Sequence, residues 1–389
     1  MQILHISADF PDPLAPQKTR AVSNLLDLVP EHDHVVYSLN RVAWNHGISA
    51  LRFDGAHTAV AYGAPSVGVL LETYLRRLAK WIIADAEARR LAPKIVHAHK
   101  ISIDGLVGDT VARHFGARLI VTSQGNTDTK VLRARPDLRS KWRKIWREAA
   151  FVMPMAPWTA AALSDLLGQR AGPVVCLPCP TTQDRIFAPR RAGPVLCSVF
   201  GLDDHVNKNA ALLIDAARIA AARIPQLRLK IIGTGSASAY AHLSRLIGGD
   251  VRISLDGPVT HERIQRVLNE CCCLAVPSRR ESFGMVFSEA LLAGCPVVHG
   301  RGNGIAGLYE GAPFARSASR PGAEALAGEL VQLVQSEHAT KAALMAAQKA
   351  GILAPMQREW IGERYRRIIE ETVELQSQVS VPAMDRLPA

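Results

Sequence analysis

Leu274-Ala275-Val276-Pro277-Ser278-Arg279-Arg280-Glu281-Ser282-Phe283-Gly284 runs directly into Met285 through Ala293, and then into Gly294-Cys295-Pro296-Val297-Val298. The apolar run before Pro277 has the length and content of a buried strand, while Val286, Phe287, Ala290, Leu291 and Ala293 recur at helical spacing. Ser282 is placed to cap that helix and Gly294 to stop it, so the stretch predicts strand, loop, buried helix, strand. Glu281 falls in the loop, and Glu289 lies about two turns inside the helix. A carboxylate on so apolar a helix needs hydrogen-bond donors, which the hydroxyls of a bound sugar or ribose supply. N–H groups at the helix start suit a phosphate. The alternative is a buried glutamate satisfied by backbone beside an exposed loop glutamate.

Pro277-Ser278-x-x-Glu281-Ser282-Phe283-Gly284, followed by Glu289-Ala290-Leu291-Leu292-Ala293-Gly294-Cys295-Pro296-Val297-Val298, resembles the signature of the retaining family 4 glycosyltransferases (glycosyl transferases group 1), over about residues 195–310. The resemblance implies an α/β chain of two facing Rossmann-like domains, the GT-B fold, with an interdomain cleft. It also implies that Glu281 holds hydroxyls of the donor sugar and Glu289 the nucleotide ribose, with Ser282, Phe283, Gly284 and Met285 around the donor.

Outward from this stretch, apolar runs alternate with helix-like segments throughout, the pattern of parallel sheets covered by helices. Strands are expected at Ile3–Ser7, Val35–Leu39, Thr58–Tyr62, Ile95–His99, Leu119–Thr122, Phe151–Met155 and Val174–Leu177, with helices at Val69–Leu91 and Ser102–Phe115 among them. Ala188-Pro189-Arg190-Arg191-Ala192-Gly193-Pro194 breaks the pattern and reads as a linker. The alternation restarts with strands at Val195–Val199, Leu229–Ile232, Arg252–Leu255, Leu274–Val276 and Val297–Val298, and a helix from about Lys208 to Ala222. The expected organisation is a first, acceptor-binding domain over 1–187, a nucleotide-sugar domain over 194–355, a helix over 356–377 and a loose tail over 378–389. The resemblance implies that this last helix returns to the first domain.

The 389 residues suffice for two cores, and 46 basic against 35 acidic residues give a formal charge of +11, which attracts polyanions. The seven cysteines, three consecutive at Cys271–Cys273, form no disulfide or zinc pattern and read as small buried hydrophobes. With neither a leader nor a run long enough to span a bilayer, a cytoplasmic protein is expected.

Three further segments bear on the donor. Gly233 and Gly235 follow a strand, where glycine lets a backbone approach a ligand closely. Leu255-Asp256-Gly257-Pro258-Val259 resembles the family segment whose backbone meets the nucleobase. The family's glycine, arginine and lysine after the first strand of this domain contact the diphosphate. Here Phe200-Gly201-Leu202-Asp203-Asp204-His205-Val206-Asn207-Lys208 supplies Lys208 but no arginine after Gly201, so either the diphosphate is clamped differently or Arg279 or Arg280 substitutes. Lys208 as a merely solvated residue is disfavoured, since a cation at a helix start opposes the dipole.

The first domain matches the family less. Its paired glycine after strand one is absent from Asp9-Phe10-Pro11-Asp12-Pro13-Leu14-Ala15-Pro16-Gln17-Lys18, where Lys18 is the candidate to approach the phosphates. His97 and His99 alternate onto one strand face without an apparent third metal ligand; His97 reads as packing and His99 as lining the acceptor cleft. Gln124 and Gly125 stand where relatives have a His-Gly pair facing the donor sugar, and an amide there recognises hydroxyls and moves no proton. Arg133–Arg147 carries seven basic residues with Trp142 and Trp146 one helical turn apart. Two readings stand: an interfacial helix against an anionic membrane surface, or a core-packed face with a solvated basic back.

These readings imply a retaining transfer from a nucleotide-diphosphate sugar to a hydroxyl of a saccharide or lipid-linked saccharide. It would use no cofactor and no metal, bind no nucleic acid, and serve polysaccharide or glycolipid biosynthesis. For this fold the expected course is front-face substitution, with charge on the departing diphosphate stabilised by Lys208. Rival readings are a nucleotide-sugar epimerase of the same fold, an NAD-dependent oxidoreductase, disfavoured because no Gly-x-Gly-x-x-Gly follows Ile3–Ser7, and a basic nucleic-acid-binding module.

Overall fold

The computed structural model describes residues 1–43, 46–65, 70–318 and 320–379. Its contacts divide the chain into two units, the first comprising Met1–Met155, Thr159–Pro178 and the chain from Glu359, the second comprising Ala156–Trp158 and Cys179–Arg358.

The first unit is built on a seven-stranded sheet of β1 (Gln2–Ser7), β2 (Asp33–Val42), β3 (Ile48–Phe53), β4 (His57–Gly63), β5 (Ile95–Ala98), β6 (Arg118–Ser123) and β7 (Phe151–Pro154), in the order β3-β4-β2-β1-β5-β6-β7. All neighbours are parallel except β3, which pairs antiparallel with β4 at the edge. Side chains alternate across β1, so the two faces carry separate cores. Leu4 and Ile6 pack with Tyr37, Val60, Leu78, Ile82 and Trp142. Ile3 packs on the other face with Ile95, Ile120 and Phe151, and there the helix Arg358–Val379 supplies Ile361, Tyr365, Ile368 and Ile369. The last helix therefore completes the first unit's core, as the family resemblance implies.

The second unit holds β8 (Val195–Val199), β9 (Arg228–Ile232), β10 (Ile253–Asp256), β11 (Cys273–Val276), β12 (Val297–His299) and β13 (Ala315–Ser317), in the order β10-β9-β8-β11-β12-β13 and parallel throughout. Leu196, Leu229 and Ile231 pack there with Leu213, Ala217, Leu243, Leu326 and Leu330. Two strongly apolar faces and parallel pairing are what strands buried on both sides require.

Several expectations change. Val174–Leu177 is no strand; Val174 makes only an isolated bridge to Val152. The edge strands β3 and β13 lie outside the expected set. The segment read as a linker is fastened to the second unit: Phe187 N–H donates to Leu292 O at 2.8 Å, Ala192 N–H to Glu337 Oε1 at 2.7 Å, and Lys341 Nζ to Arg190 O. The contacts accordingly change unit at Cys179, ahead of Ala188. All seven cysteines are free thiols, buried except for half-buried Cys176. The expected helix start at Val69, and the tail from residue 380, lie outside the described residues. Among those described, no helix is long and apolar enough to cross a membrane.

Candidate functional site

In the second sheet the chain leaves β8 toward β9 and β10, then returns to the other side of β8 as β11. The loops after β8 and β11 thus flank the switch point at the carboxyl ends of the strands, the usual ligand position in such sheets. Both conspicuous groups of the sequence follow these two strands. Lys208 Nζ lies 2.6 Å from Glu281 Oε2, and Ser278 Oγ donates to the same oxygen at 3.1 Å. Arg279 N–H donates to Asn207 O at 2.8 Å, and Asn207 Nδ2 donates to Arg280 O at 3.1 Å. Exposed Arg279 and Arg280 are thus held against the loop that carries Lys208.

The helix Met285–Leu292 begins one residue after a left-handed Gly284 at φ 77°. A Cβ at Gly284 would stand 2.7 Å from the Phe287 ring and 3.0 Å from Glu281 Cγ, so only glycine lets the loop bring Glu281 this close. Ser282 is correspondingly not the cap: Gly284 occupies that position, and no side chain caps the helix. Phe283 is buried in support, while Ser282 and Met285 flank it half-buried.

Glu289 sits inside this helix, half-buried, and no donor among the described residues bonds its carboxylate. Burial pushes its carboxyl up to about 7. A carboxylate in that setting is short of hydrogen bonds that a ligand can supply.

Gly233 and Gly235 follow β9 at the same edge, but the close approach that demands glycine is internal. A Cβ on Gly233 would lie 1.9 Å from Phe200 O, and one on Gly235 2.6 Å from Leu202 Cβ. Asp203, two residues after Gly201 in the segment that lacks the family arginine, accepts Ser236 N–H at 3.1 Å and Ser236 Oγ–H, tying the loop after β8 to the loop after β9. Asp203, Asn207 and Ser278 are second partners that motif reading passed over; only the departure from the family pattern after Gly201 marked the place. Val259 is half-buried in the loop after β10. The tips therefore run in the order Val259, Gly233, Gly201 and Glu281 along one sheet edge.

The first unit revises more of the expectations. Lys18 Nζ donates to Asp12 Oδ2 at 2.9 Å, Ser38 Oγ at 3.0 Å and Leu39 O at 3.1 Å, so its three protons already have protein partners. His99 does not line a surface: it is buried, its Nε2 lies 3.1 Å from His5 Nδ1, and burial lowers its pKa to about 3. His5 is the third histidine absent from the sequence reading, and ring nitrogens of His5, His97 and His99 lie within 4.8 Å of one another. Both nitrogens of His5 and of His97 already have protein partners: His5 Nε2 meets His34 Nδ1 at 2.9 Å, and His97 meets Tyr365 Oη at 2.8 Å and Thr122 Oγ1 at 2.7 Å. Gln124 is buried with its Nε2 unpartnered, and Gly125, at φ 98°, opens the helix Asn126–Ala134.

The basic helix Arg139–Glu148 takes the core-packed alternative. Trp142 and Trp146 are buried, with indole N–H groups donating at 2.8 Å to Ser102 O and Gly168 O. Lys141, Arg143, Lys144 and Arg147 form the exposed back.

Residues 193–336 match the family model of the glycosyl transferases group 1. The chain is similar to D-inositol 3-phosphate glycosyltransferases: it is 34% identical over 105 residues to that of Corynebacterium efficiens, covering 25% of either chain. To that of Nocardiopsis dassonvillei it is 26% identical over 241 residues, covering 54% of this chain and 55% of the relative. The chain thus matches between a quarter and about half of the length of these relatives. Among solved structures, sucrose-phosphate synthase from Thermosynechococcus elongatus superposes with a TM-score of 0.71 at 18% identity, covering 96% of this chain and 100% of that one. HepE of Anabaena, in complex with UDP, gives a TM-score of 0.67 at 16% identity, covering 95% and 100%. Within the second unit, residues 193–336 are similar to the glycosyl transferases group 1, and the chain carries the GT-B fold of the glycosyltransferases it resembles.

Proposed function

We propose that the chain is a retaining glycosyltransferase that moves a sugar from a nucleotide-diphosphate sugar to a hydroxyl of a saccharide or lipid-linked saccharide. The observation that carries this reading is the half-buried Glu289 carboxylate, without a protein donor, in the helix that follows the Lys208–Glu281 pair. Ribose hydroxyls donating to Glu289 supply what the protein leaves unmade. Lys208 takes the diphosphate, with Arg279 or Arg280 standing in for the family arginine, and Glu281 orients the donor sugar.

Donor entry then exchanges one set of partners for another: Lys208 leaves Glu281 for phosphate oxygen, and Glu281 leaves Lys208 for sugar hydroxyls. The anomeric carbon–phosphate oxygen bond breaks while the acceptor oxygen bonds to the same face of that carbon. The acceptor proton passes to the departing phosphate oxygen. Catalysis consists of positioning and of stabilising charge on that oxygen, and neither glutamate acts as a base. Lys208 and the backbone N–H groups supply this without a metal ion or cofactor.

HepE is solved in complex with UDP, which makes UDP-sugars the first donors to test. Any attraction to an anionic membrane surface rests on the charges of Lys141, Arg143, Lys144 and Arg147, since the tryptophans are in the core. We place the protein in the cytoplasm on this reading, in polysaccharide or glycolipid assembly. The test is incubation with UDP-sugars and an acceptor panel, following free UDP and product by mass. A new glycoside of unchanged anomeric configuration supports the reading, whereas an epimerised donor formed without acceptor favours the epimerase.

A further inference from the structure

The first sheet ends at β7, and residues 173–177 run along that edge without becoming a strand. Val175 N–H donates to Val152 O at 2.9 Å, Leu177 N–H to Pro154 O at 2.9 Å, and Pro173 O accepts Val152 N–H at 3.2 Å. Pro173, Val175 and Leu177 thus turn their backbone groups toward β7, and the alternation of an extended chain turns those of Val174 and Cys176 outward. The backbone N–H groups of Val174 and Cys176 have no partner among the described residues.

That is the condition of a sheet edge open to another chain. Native edges are commonly blunted by charged side chains, but Val174-Val175-Cys176 carries none, and Val174 keeps 39% exposure. Pro173 and Pro178 bound the open stretch, so the ladder it can offer is short and well defined.

Beside this edge lies a groove of about 440 Å³, lined by Val174, Val175 and Cys176 and by one side of the helix Arg358–Val379. Trp360, Arg364 and Arg367 line it from the helix, at spacings that put them on one helical face. Val175 and Trp360 border the same apolar core, so the groove has an apolar strip. Arg367 is offset by Glu363, 3.3 Å away, whereas Arg364 has no ion pair or hydrogen bond among the described residues. One positive charge is therefore left uncompensated in the groove.

A segment pairing with Val174 and Cys176 would place every second side chain on the side of the sheet that carries this helix. Trp360 and Arg364 are four residues apart, about 6 Å along the helix, close to the roughly 6.6 Å between alternate residues of a strand. An apolar side chain against Val175 and Trp360, followed two positions on by an aspartate or glutamate against Arg364, satisfies both. A phosphate ligand would engage Arg364 and leave the edge unpaired.

We propose that the open edge at Val174 and Cys176, together with Trp360 and Arg364, is a docking site for an extended acidic segment of a partner protein, which adds a short strand to the first sheet. The site uses none of the residues proposed to hold the sugar donor, so it stands apart from the glycosyltransferase reading.

The test is to pan the full chain against a display library of random octapeptides and to measure the selected peptides by fluorescence polarisation. They should carry an aspartate or glutamate two positions from an apolar residue, with no proline between the two. Saturation with such a peptide should slow hydrogen exchange at the Val174 and Cys176 amides by about tenfold or more. Arg364→Ala should weaken binding by about tenfold, the loss of one charge-assisted hydrogen bond. Arg364→Glu, panned afresh, should select lysine or arginine at the acidic position. Arg364 bonds nothing among the described residues of the free protein, and circular dichroism checks the fold of both variants. A panning that enriches no acidic peptide, undiminished affinity in both variants, or binding that leaves the two amides unprotected would each overturn the proposal. Protection of these amides that rises with protein concentration in the absence of peptide would overturn it too, by showing that a second copy of the chain occupies the edge.

Discussion

Lys208 Nζ and Glu281 Oε2, on loops following two adjacent parallel strands, are 2.6 Å apart and satisfy each other where a sugar diphosphate is proposed to bind. The pair stores each group beside the ligand atom it is to meet, and it predicts opposite behaviour for the two partners. Glu281→Gln removes the competitor of the phosphate, so UDP affinity should hold or rise while turnover falls by about a hundredfold, the cost of losing one polar contact to the reacting group. Lys208→Ala should weaken both UDP binding and turnover. Parallel losses of UDP affinity in the two variants, measured by calorimetry, would contradict the arrangement.

Glu289 couples stability to pH. Its carboxyl is raised from 4.5 to about 7 by burial, so the folded protein binds this proton more tightly than the unfolded chain does. The resulting contribution is full below about pH 4.5 and is lost as pH rises through about 7. Glu289→Gln should remove that loss and stabilise the ligand-free protein at pH 8 by on the order of 2 kcal/mol, since the side chain is only partly withdrawn from water. The same variant should bind UDP less tightly, the trade of stability against function seen at binding sites. Denaturant titrations of both proteins at pH 5 and 8 give the comparison; an equal pH dependence for the two would refute the assignment.

The helix Arg139–Glu148 separates packing from charge. Trp142→Ala should cost about 3–5 kcal/mol in unfolding free energy, because a fully buried indole and its bond to Ser102 O are lost. Neutralising Lys141, Arg143, Lys144 and Arg147 should leave stability within about 0.5 kcal/mol and abolish salt-sensitive sedimentation with anionic vesicles. Vesicle binding that survives both neutralisation and high salt would place the membrane contact elsewhere.

Tyr365 on the last helix donates to or accepts from His97 on β5 at 2.8 Å, in a site where both are buried. Tyr365→Phe should cost about 1–2 kcal/mol by leaving His97 Nδ1 unpaired. Unchanged stability in thermal and denaturant unfolding would show that the Tyr365–His97 bond contributes nothing to holding the last helix on the first unit.

Much of this was legible in the sequence where the residues enforce a local period. Strands buried on both faces announced themselves as β-branched and leucine-rich runs, and the Leu274–Val298 stretch fixed the placement of Glu281 and Glu289. The edge strands escaped because their demands differ: β3 exposes most of its residues, and β13 spans only Ala315–Ser317. Val174–Leu177 has a strand's composition, but Val174 finds only a single bridge partner. The two tryptophans were ambiguous because a basic amphipathic helix looks alike whether its apolar side meets lipid or core; that choice depends on Ser102 and Gly168, far away in sequence. Lys18, His99 and His5 were misplaced or missed for the same reason, since their partners lie on neighbouring strands and only the sheet order brings them together.

The most direct measurement is isothermal calorimetry of UDP titrated into the full chain, the Glu289→Ala variant and the Glu281→Gln variant. The account predicts binding by the parent, affinity at least as high in Glu281→Gln, and a loss of about tenfold or more in Glu289→Ala, where ribose hydroxyls lose a charged acceptor. UDP affinity untouched by Glu289→Ala, or no binding of UDP or any other nucleoside diphosphate by the parent, would contradict it.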